Sequence, residues 1–447
     1  MEKEVDSMEL TDGSRVGIVG GGPAGSLAGY FLLEMAGRID LKLELDIYEP
    51  RDYTRPGPAG CNMCGGIVSE SLVQLLATEG INLPHSVVQR GIDSYVMHTE
   101  RDKVHITTPL EEMRIAALHR GSGPKGCQAG EWESFDGFLL KLAQENGANH
   151  IQARVTDIRI EDGRPLITAR GHPARSYDLV VGAVGVNSGG LKLFKNLGAR
   201  LQEPKTTRTC ITEVYLGREN VYKYLKNSMH VFLLDIPRLE FACAIPKKDY
   251  VTVCLLGREV DRELLDRFMT SPAVKELLPV EWEPGLPACR CLPLINIGAH
   301  KPIFSDRIVL IGDCGASRLY KDGIGAAYRS AKPCAVTAVF HGVSAKDFRK
   351  YYWPVCRRME LDNSIGKAMF LGAVFFRKLG FLRTAVVRMA GNEQKIQGQP
   401  RPMSMILWDM FTGSAPYKDV LMRGMMPGFI FRFTLECLKA LLLPKQR

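Results

Sequence analysis

Residues Arg15 to Gly25, RVGIVGGGPAG, decide the reading of this chain. RVGIVG is a short apolar strand, the glycines that follow make a tight turn, and SLAGYFLLEMAG beyond them suits a helix. Gly20, Gly22 and Gly25 occupy the three places of a G-x-G-x-x-G fingerprint, with Pro23 and Ala24 inside it. Gly20 permits the turn, Gly22 lets the backbone approach a pyrophosphate, and Gly25 lets helix and strand pack closely. The helix start then offers unpaired N–H groups and a partial positive charge to phosphates. A second apolar strand, Leu43 to Tyr48, ends at Glu49, placed where a carboxylate accepts hydrogen bonds from an adenosine ribose.

Working outward, 447 residues with 45% hydrophobic and 24% charged composition exclude disordered, collagenous and small disulfide-scaffold classes. The length predicts two or three structural units, at about 150 residues each. The N-terminal stretch MEKEVDSMELTDG is acidic and polar, unlike a secretory signal, so a cytoplasmic protein is expected. In a reducing compartment its 12 cysteines read mostly as small buried apolar residues, with Cys61 and Cys64 the one local cluster. Beyond the first unit lie an irregular loop from Arg55 to Gly66, a helix-like SESLVQLLATEG, and β-rich sequence around Tyr95 to Thr108. Ser134 to Asn146 reads as a helix capped by Ser134. The strands VTDIRI, which opens at Val155, PLITA and YDLVVGAVG follow. Alternating segments from about Pro204 to Leu294 predict a second, antiparallel sheet, and RIVLIG, Arg307 to Gly312, returns to the first.

Three segments together resemble the geranylgeranyl reductase family, flavoproteins within the class typified by p-hydroxybenzoate hydroxylase. They are the glycine motif ending at Glu49, DLVVGAVGVNS from Asp178 to Ser188, and VLIGDCGASRLYKDGIGAAYRSA from Val309 to Ala331. The resemblance covers roughly residues 14 to 345. It implies an α/β fold: a Rossmann-type FAD-binding domain, an inserted antiparallel-sheet substrate domain and a helical C-terminal region. The expected division is 14–200 for the first part of the FAD domain, with an excursion near 85–115, then 201–300 for the substrate domain, 301–345 for the second FAD part and 346–447 for the C-terminal region.

The same resemblance implies that Asp313 bonds the ribityl part of FAD and that Arg120 contacts its phosphate or ribityl oxygens. Arg55, Val155 and Gly185 are further cofactor candidates, and Gly323-Ile324-Gly325 opens a helix toward the flavin. In the middle motif Val184 stands where the hydroxylases carry an aspartate tied to NAD(P)H use, which counts against direct nicotinamide use; a donor protein and NAD(P)H both stay open as the electron source. The CGG run Cys64-Gly65-Gly66 is similar to the family's loop near the flavin. FACAIP, Phe241 to Pro246, takes the place of its Y-x-W-x-F-P signature. Phe241, Cys243, Ile245 and Pro246 are therefore candidate substrate contacts, and Cys243 in the tryptophan place opens space. A W-x-W-x-I-P motif of flavin halogenases is not met there.

A flavin reductase holds its ring against the acceptor carbon and stabilises the reduced ring. Cys64, Gly65, Tyr320 and Lys321 are the candidate catalytic residues, the last two able to orient substrate or give a proton, or else to form a solvated turn with Asp322. Cys61 and Cys64 fit a dithiol switch, half a metal site or a tight loop. No second C-x-x-C at zinc spacing and no iron–sulfur cysteine run exists, so no metal is expected.

Charge separates the C-terminal region from the rest. The chain is net +9, yet residues 346 to 447 hold 18 basic and 7 acidic residues, a net +11. Apolar runs sit there too, AMFLGAVFF, GMMPGFIF and ALLL, each too short to span a bilayer. Helices with one apolar and one basic face would lie on a membrane at its inner surface, cap the substrate domain, or dock an acidic electron donor. No motif supports nucleic-acid binding. The expected activity is FAD-dependent reduction of C=C bonds in a hydrophobic, prenylated lipid. The alternatives are a flavin monooxygenase acting on an aromatic compound and a non-catalytic flavin shuttle at the membrane surface.

Overall fold

The computed structural model describes residues 8–61, 63–100, 102–109, 113–127, 132–195, 197, 203–279, 287–298, 303–396 and 398–442. Residues 1–7, part of the insert between Arg120 and Phe135, Leu443, and the expected boundaries at 201 and near 300 lie outside the described residues.

RVGIV forms the strand Arg15–Val19, and its apolar side chains are buried because both neighbours are parallel strands covered on their faces. Ile18 lies level with Ile47 of Glu44–Tyr48 on one side and with Val181 of Leu179–Gly182 on the other. The six-stranded sheet runs Phe304–Ser305, Ile308–Leu310, Leu179–Gly182, Arg15–Val19, Glu44–Tyr48, Asn149–Ile151, and only the first strand is antiparallel to its neighbour. The helix Pro23–Gly37 packs on one face with Phe135–Glu145 and Gly323–Phe340. Ser134 caps Phe135–Glu145, accepting from Gly137 N at 3.1 Å. On the other face lies a three-stranded antiparallel sheet, whose Ile167 side chain stands 2.8 Å from where a Cβ on Gly17 would be.

Two glycines set the entry to this layer. Gly20 turns at φ +107°, a conformation closed to side-chain-bearing residues, and a Cβ on Gly25 would lie 1.8 Å from the Gly20 carbonyl oxygen. Strand and helix thus meet at backbone contact.

The second sheet has eight strands, with Thr206–Tyr215, Tyr250–Gly257, Leu239–Pro246 and Ser228–Phe232 paired in that order. It departs from the expected antiparallel pattern at one pair: Ser228–Phe232 runs parallel to Ser94–His98, so residues from the early excursion complete it. Period-two alternation gives it two apolar faces. Ala242 and Ala244 face a core shared with Leu264, Leu265 and Phe268, whereas Cys243 and Ile245 face a core shared with Met389, Met403 and Trp408. The second face is therefore covered by the C-terminal helices Gly380–Lys395, Pro402–Thr412 and Pro427–Leu442, with Trp353–Lys378 and Tyr417–Gly424 packed beside them. Trp408 is fully buried there, edge-on to Tyr95 at 4.6 Å and donating from Nε1 to Glu70 at 2.8 Å.

Gly25→Ala forces the motif helix off its strand. Urea denaturation is expected to show a loss of about 1–3 kcal/mol, and an unchanged midpoint would mean that the contact relaxes freely.

Candidate functional site

A cavity of about 1650 Å3 begins at the carboxyl ends of the parallel strands and continues between the second sheet and the C-terminal helices. Its polar end is lined by Gly20, Gly22, Pro23, Ala24 and Glu49 from the first motif, and by Gly185, Asp313, Gly323 and Ile324 from the later ones. Its other end is lined by Phe241, Cys243 and Ile245 of the sheet and by Phe370, Phe411 and Phe433 of the C-terminal helices.

At the polar end the Glu49 carboxylate, buried, accepts from Gly21 N at 3.0 Å and from Arg51 N at 2.9 Å. A carboxylate has lone pairs to spare for hydroxyl groups. Arg120 lines the cavity while its guanidinium grips Asp136 through Nε at 2.9 Å and Nη2 at 2.8 Å. Burial alone would lower its pKa, but the charge of Asp136 and the paired hydrogen bonds raise it above its ordinary value, so the cation is fixed. Asp313 is oriented by Ser317, whose Oγ donates to Oδ1 at 2.6 Å, and by Asn296, whose Nδ2 donates to its carbonyl at 2.8 Å. Open space lies where a Cβ on Gly185 or Gly189 would project, and both have positive φ. Backbone cradle, carboxylates and fixed arginine together fit a dinucleotide such as FAD.

Not every sequence candidate lines the cavity. Arg55 is exposed on its loop and stands outside, while Arg51 and Arg154, which the sequence reading passed over, line it together with Val155. The residue after Glu49-Pro50 was the available signal for Arg51. Pro246 is outside because adjacent strand residues face opposite ways, so Phe241, Cys243 and Ile245 share the cavity face without it. Gly25 and Gly325 are also outside, and both act in packing: a Cβ on Gly325 would lie 2.1 Å from Asp322 Oδ1.

Thiols cluster where the sheet meets the CGG loop. Cys64 lines the cavity, its Sγ accepting from Gly66 N at 3.4 Å. Cys61 does not; burial raises its thiol pKa, and no disulfide joins the two. The cysteines facing each other directly are Cys243 and Cys254, opposite partners on neighbouring strands, both in the cavity wall. Gly65 is packed so closely that a Cβ there would stand 3.0 Å from Cys254 Sγ. Among the described residues no cluster has the make-up of a metal site.

Beneath the CGG loop lies a charged group that the sequence reading missed. Lys247 reads as part of a polar turn, yet its side chain is fully buried, with Nζ 3.2 Å from His119 Nδ1 and 3.5 Å from Glu213 Oε1. Thr252 donates to the other Glu213 oxygen at 2.8 Å. Burial, then the nearby ammonium, holds His119 well below its usual pKa, so the ring is neutral and Nδ1 accepts from Lys247.

The turn Tyr320-Lys321-Asp322 is no solvated loop. Asp322, at φ +56°, caps the helix Gly323–Phe340 by accepting from Gly325 N at 3.1 Å and binds Arg318 at 2.9 Å and Arg329 at 2.7 Å. Tyr320 lines the cavity edge-on to Phe370 at 4.9 Å. Lys321 Nζ donates to the carbonyls of Asp409 at 2.7 Å and Met410 at 3.2 Å, and sits 4.2 Å over the Tyr417 ring. Burial, reinforced by Arg318, pushes its pKa down to about 7.

No protein-family model and no curated protein sequence matches the chain. Solved structures do. A geranylgeranyl bacteriochlorophyll reductase-like protein from Thermoplasma acidophilum matches with TM-score 0.64 at 17% identity, over 93% of this chain and 99% of that one. The fold is that of the FAD-dependent flavoproteins. A flavoprotein/dehydrogenase from Cytophaga hutchinsonii matches with TM-score 0.58 at 16% identity, over 97% of this chain and 100% of the other. A variant of the halogenase PltM, solved in complex with FAD, matches with TM-score 0.60 at 14% identity, over 97% and 92% of the two chains.

The depressed Lys321 pKa links stability to pH. Between about 7 and the ordinary lysine value the unfolded chain holds a proton that the folded chain does not, so folding is favoured as pH rises through that window. The melting temperature of the parent relative to Lys321→Met should therefore climb from pH 7 to pH 9.5. A pH-independent difference would show that Lys321 stays charged in the fold.

Proposed function

We propose that this protein is an FAD-dependent oxidoreductase that saturates C=C bonds of a hydrophobic, prenylated lipid. One observation carries the reading: a single cavity joins the two glycine-rich motifs to a chamber walled by phenylalanine, methionine and leucine. FAD, when bound, supplies a two-electron hydride transfer. The backbone at Gly20 and Gly22 would admit the pyrophosphate, Glu49 would accept from a ribose hydroxyl, and Asp313 would accept from the ribityl chain. The start of the helix Gly323–Phe340 lines the cavity, where its positive dipole end would favour an anionic reduced ring by about 0.3–1 kcal/mol. NAD(P)H or a donor protein supplies the electrons.

The apolar walls exclude water and hold an uncharged chain. Tyr320 is the better-placed proton donor of the two candidates, because its ring lines the cavity beside Phe370. Lys321 already spends its donors on two carbonyls. Cys243 and Cys254 leave room in the wall where larger side chains would narrow it.

The test uses purified protein, reduced anaerobically and mixed either with a prenyl lipid or with O2. Reoxidation by the lipid, with a gain of two mass units per turnover, is expected. Oxygen inserted into a product would replace this reading with a monooxygenase, and flavin reduction without lipid turnover would replace it with an electron shuttle. Gly22→Trp, at an extended position that any residue can adopt, should keep the circular dichroism melt and lose flavin absorbance at least tenfold. Full flavin content in that variant would disprove the phosphate-loop assignment.

A further inference from the structure

The helix Pro427–Leu442 buries none of its residues. In a water-facing fold an amphipathic helix turns its apolar stripe inward. This one has two apolar faces. Phe429 and Phe433 turn inward to the cavity, and Phe433 meets Phe376 of the helix Trp353–Lys378 at 6.0 Å. The outward face carries Phe431, Leu435, Leu438 and Leu442 at i, i+4, i+7 and i+11, from 40% to 77% exposed. Arg432 and Lys439 flank that face, the latter also holding Glu436 at 2.7 Å.

The stripe does not stop there. Across the Phe376–Phe433 contact, Leu371 and Phe375 stand exposed one turn apart on their helix, at 69% and 64%, and Leu379 is exposed just past its end. Met422, Met425 and Met426 are exposed at the base of the terminal helix. Scattered surface leucines need no explanation, but a contiguous patch marks a binding surface. Leu371, Phe376, Leu421 and Met425 are both exposed and in the cavity wall, so the apolar chamber opens within the patch.

Charge selects the occupant. Residues 346 to 447 are net +11, so a second copy of the chain would set this positive region against itself, whereas an anionic bilayer complements it. Basic residues near such a surface are drawn to its negative potential. No described helix is long and apolar enough to cross a membrane, which leaves the interfacial geometry for a helix of this pattern.

We infer that the outward faces of Trp353–Lys378 and Pro427–Leu442 dock on an anionic lipid bilayer and that the cavity draws its lipid directly from that leaflet. The delivery half rests on the lipid-reduction reading above; the docking half rests on the exposed face alone.

Flotation of the flavin-loaded, full-length protein with phosphatidylcholine vesicles, with and without one-third phosphatidylglycerol, tests it. The parent is expected to float with the anionic vesicles and to lose binding in high salt. The double variant Phe431→Glu/Leu438→Glu changes residues outside the cavity and should lower vesicle binding at least tenfold. It should keep flavin absorbance, melting temperature and turnover of detergent-solubilised prenyl lipid, yet lose turnover of the same lipid held in vesicles. Absent flotation of the parent, or equal flotation of the variant, would overturn the docking. Dimerisation abolished by the same substitutions, without flotation, would assign the face to a second copy. Flotation with no turnover on either form of the lipid would leave the docking standing and sink the reaction proposed above.

Discussion

One carboxylate, that of Asp322, joins three parts of this molecule. It caps the helix whose start enters the cavity, and it holds Arg318 and Arg329. Arg318 in turn donates to the carbonyls of Gly413 at 2.5 Å and Ala415 at 2.8 Å, which fasten the C-terminal helices to the second glycine-rich motif. Tyr417 reinforces the junction, its hydroxyl donating to the Leu319 carbonyl at 2.6 Å. Asp322 adopts a left-handed backbone to do this, a conformation that only a short polar side chain able to bond locally holds at small cost. The apolar chamber exists only because these helices close on the sheet, so its shape depends on this small buried charge network.

The two ends of the cavity are built on different principles. At the polar end, groups are held in advance: Asp136 fixes Arg120, Ser317 and Asn296 fix Asp313, and backbone N–H groups fix Glu49. Such positioning removes reorganisation when a charged ligand arrives. Beneath the CGG loop, Lys247 bridges His119 and Glu213 and Thr252 donates to Glu213, while the buried His119 Nε2 has no hydrogen-bond partner among the described residues. The apolar end is walled instead by side chains without directional bonds, and it selects by shape and dryness.

The parallel layer was legible because its signals are local. A glycine fingerprint, a strand ending in an acid and a second Gly-Asp turn each fit within a dozen residues, and each lies at the strand ends where the cavity begins. Phe241, Cys243 and Ile245 were legible through the resemblance of FACAIP to a family signature, and strand alternation explains why Pro246 of the same signature falls away. Lys247 was not, since a lysine next to Lys248 and Asp249 carries no mark of burial when its partners His119 and Glu213 are distant in sequence. The C-terminal helices were legible only by half. Their periodicity announced apolar and basic faces, but a helix with two apolar faces looks from sequence like a helix with one broad one. Only the packing of Phe429 and Phe433 against the cavity separates the inner face from the outer.

The discontinuity of the six-stranded sheet has a consequence for how the chain is made. Arg15–Val19 and Glu44–Tyr48 come early in synthesis, but Ile308–Leu310 and the helix Gly323–Phe340, which packs on the motif helix, come only after the whole second sheet. The ribosome therefore releases a half-covered apolar layer that must wait for its last strand. Contacts of such wide sequence separation are slow to form, and an unpaired strand edge invites association while it waits. Expression yield and early aggregation should respond to the rate of translation across the second sheet more than to the stability of the finished fold.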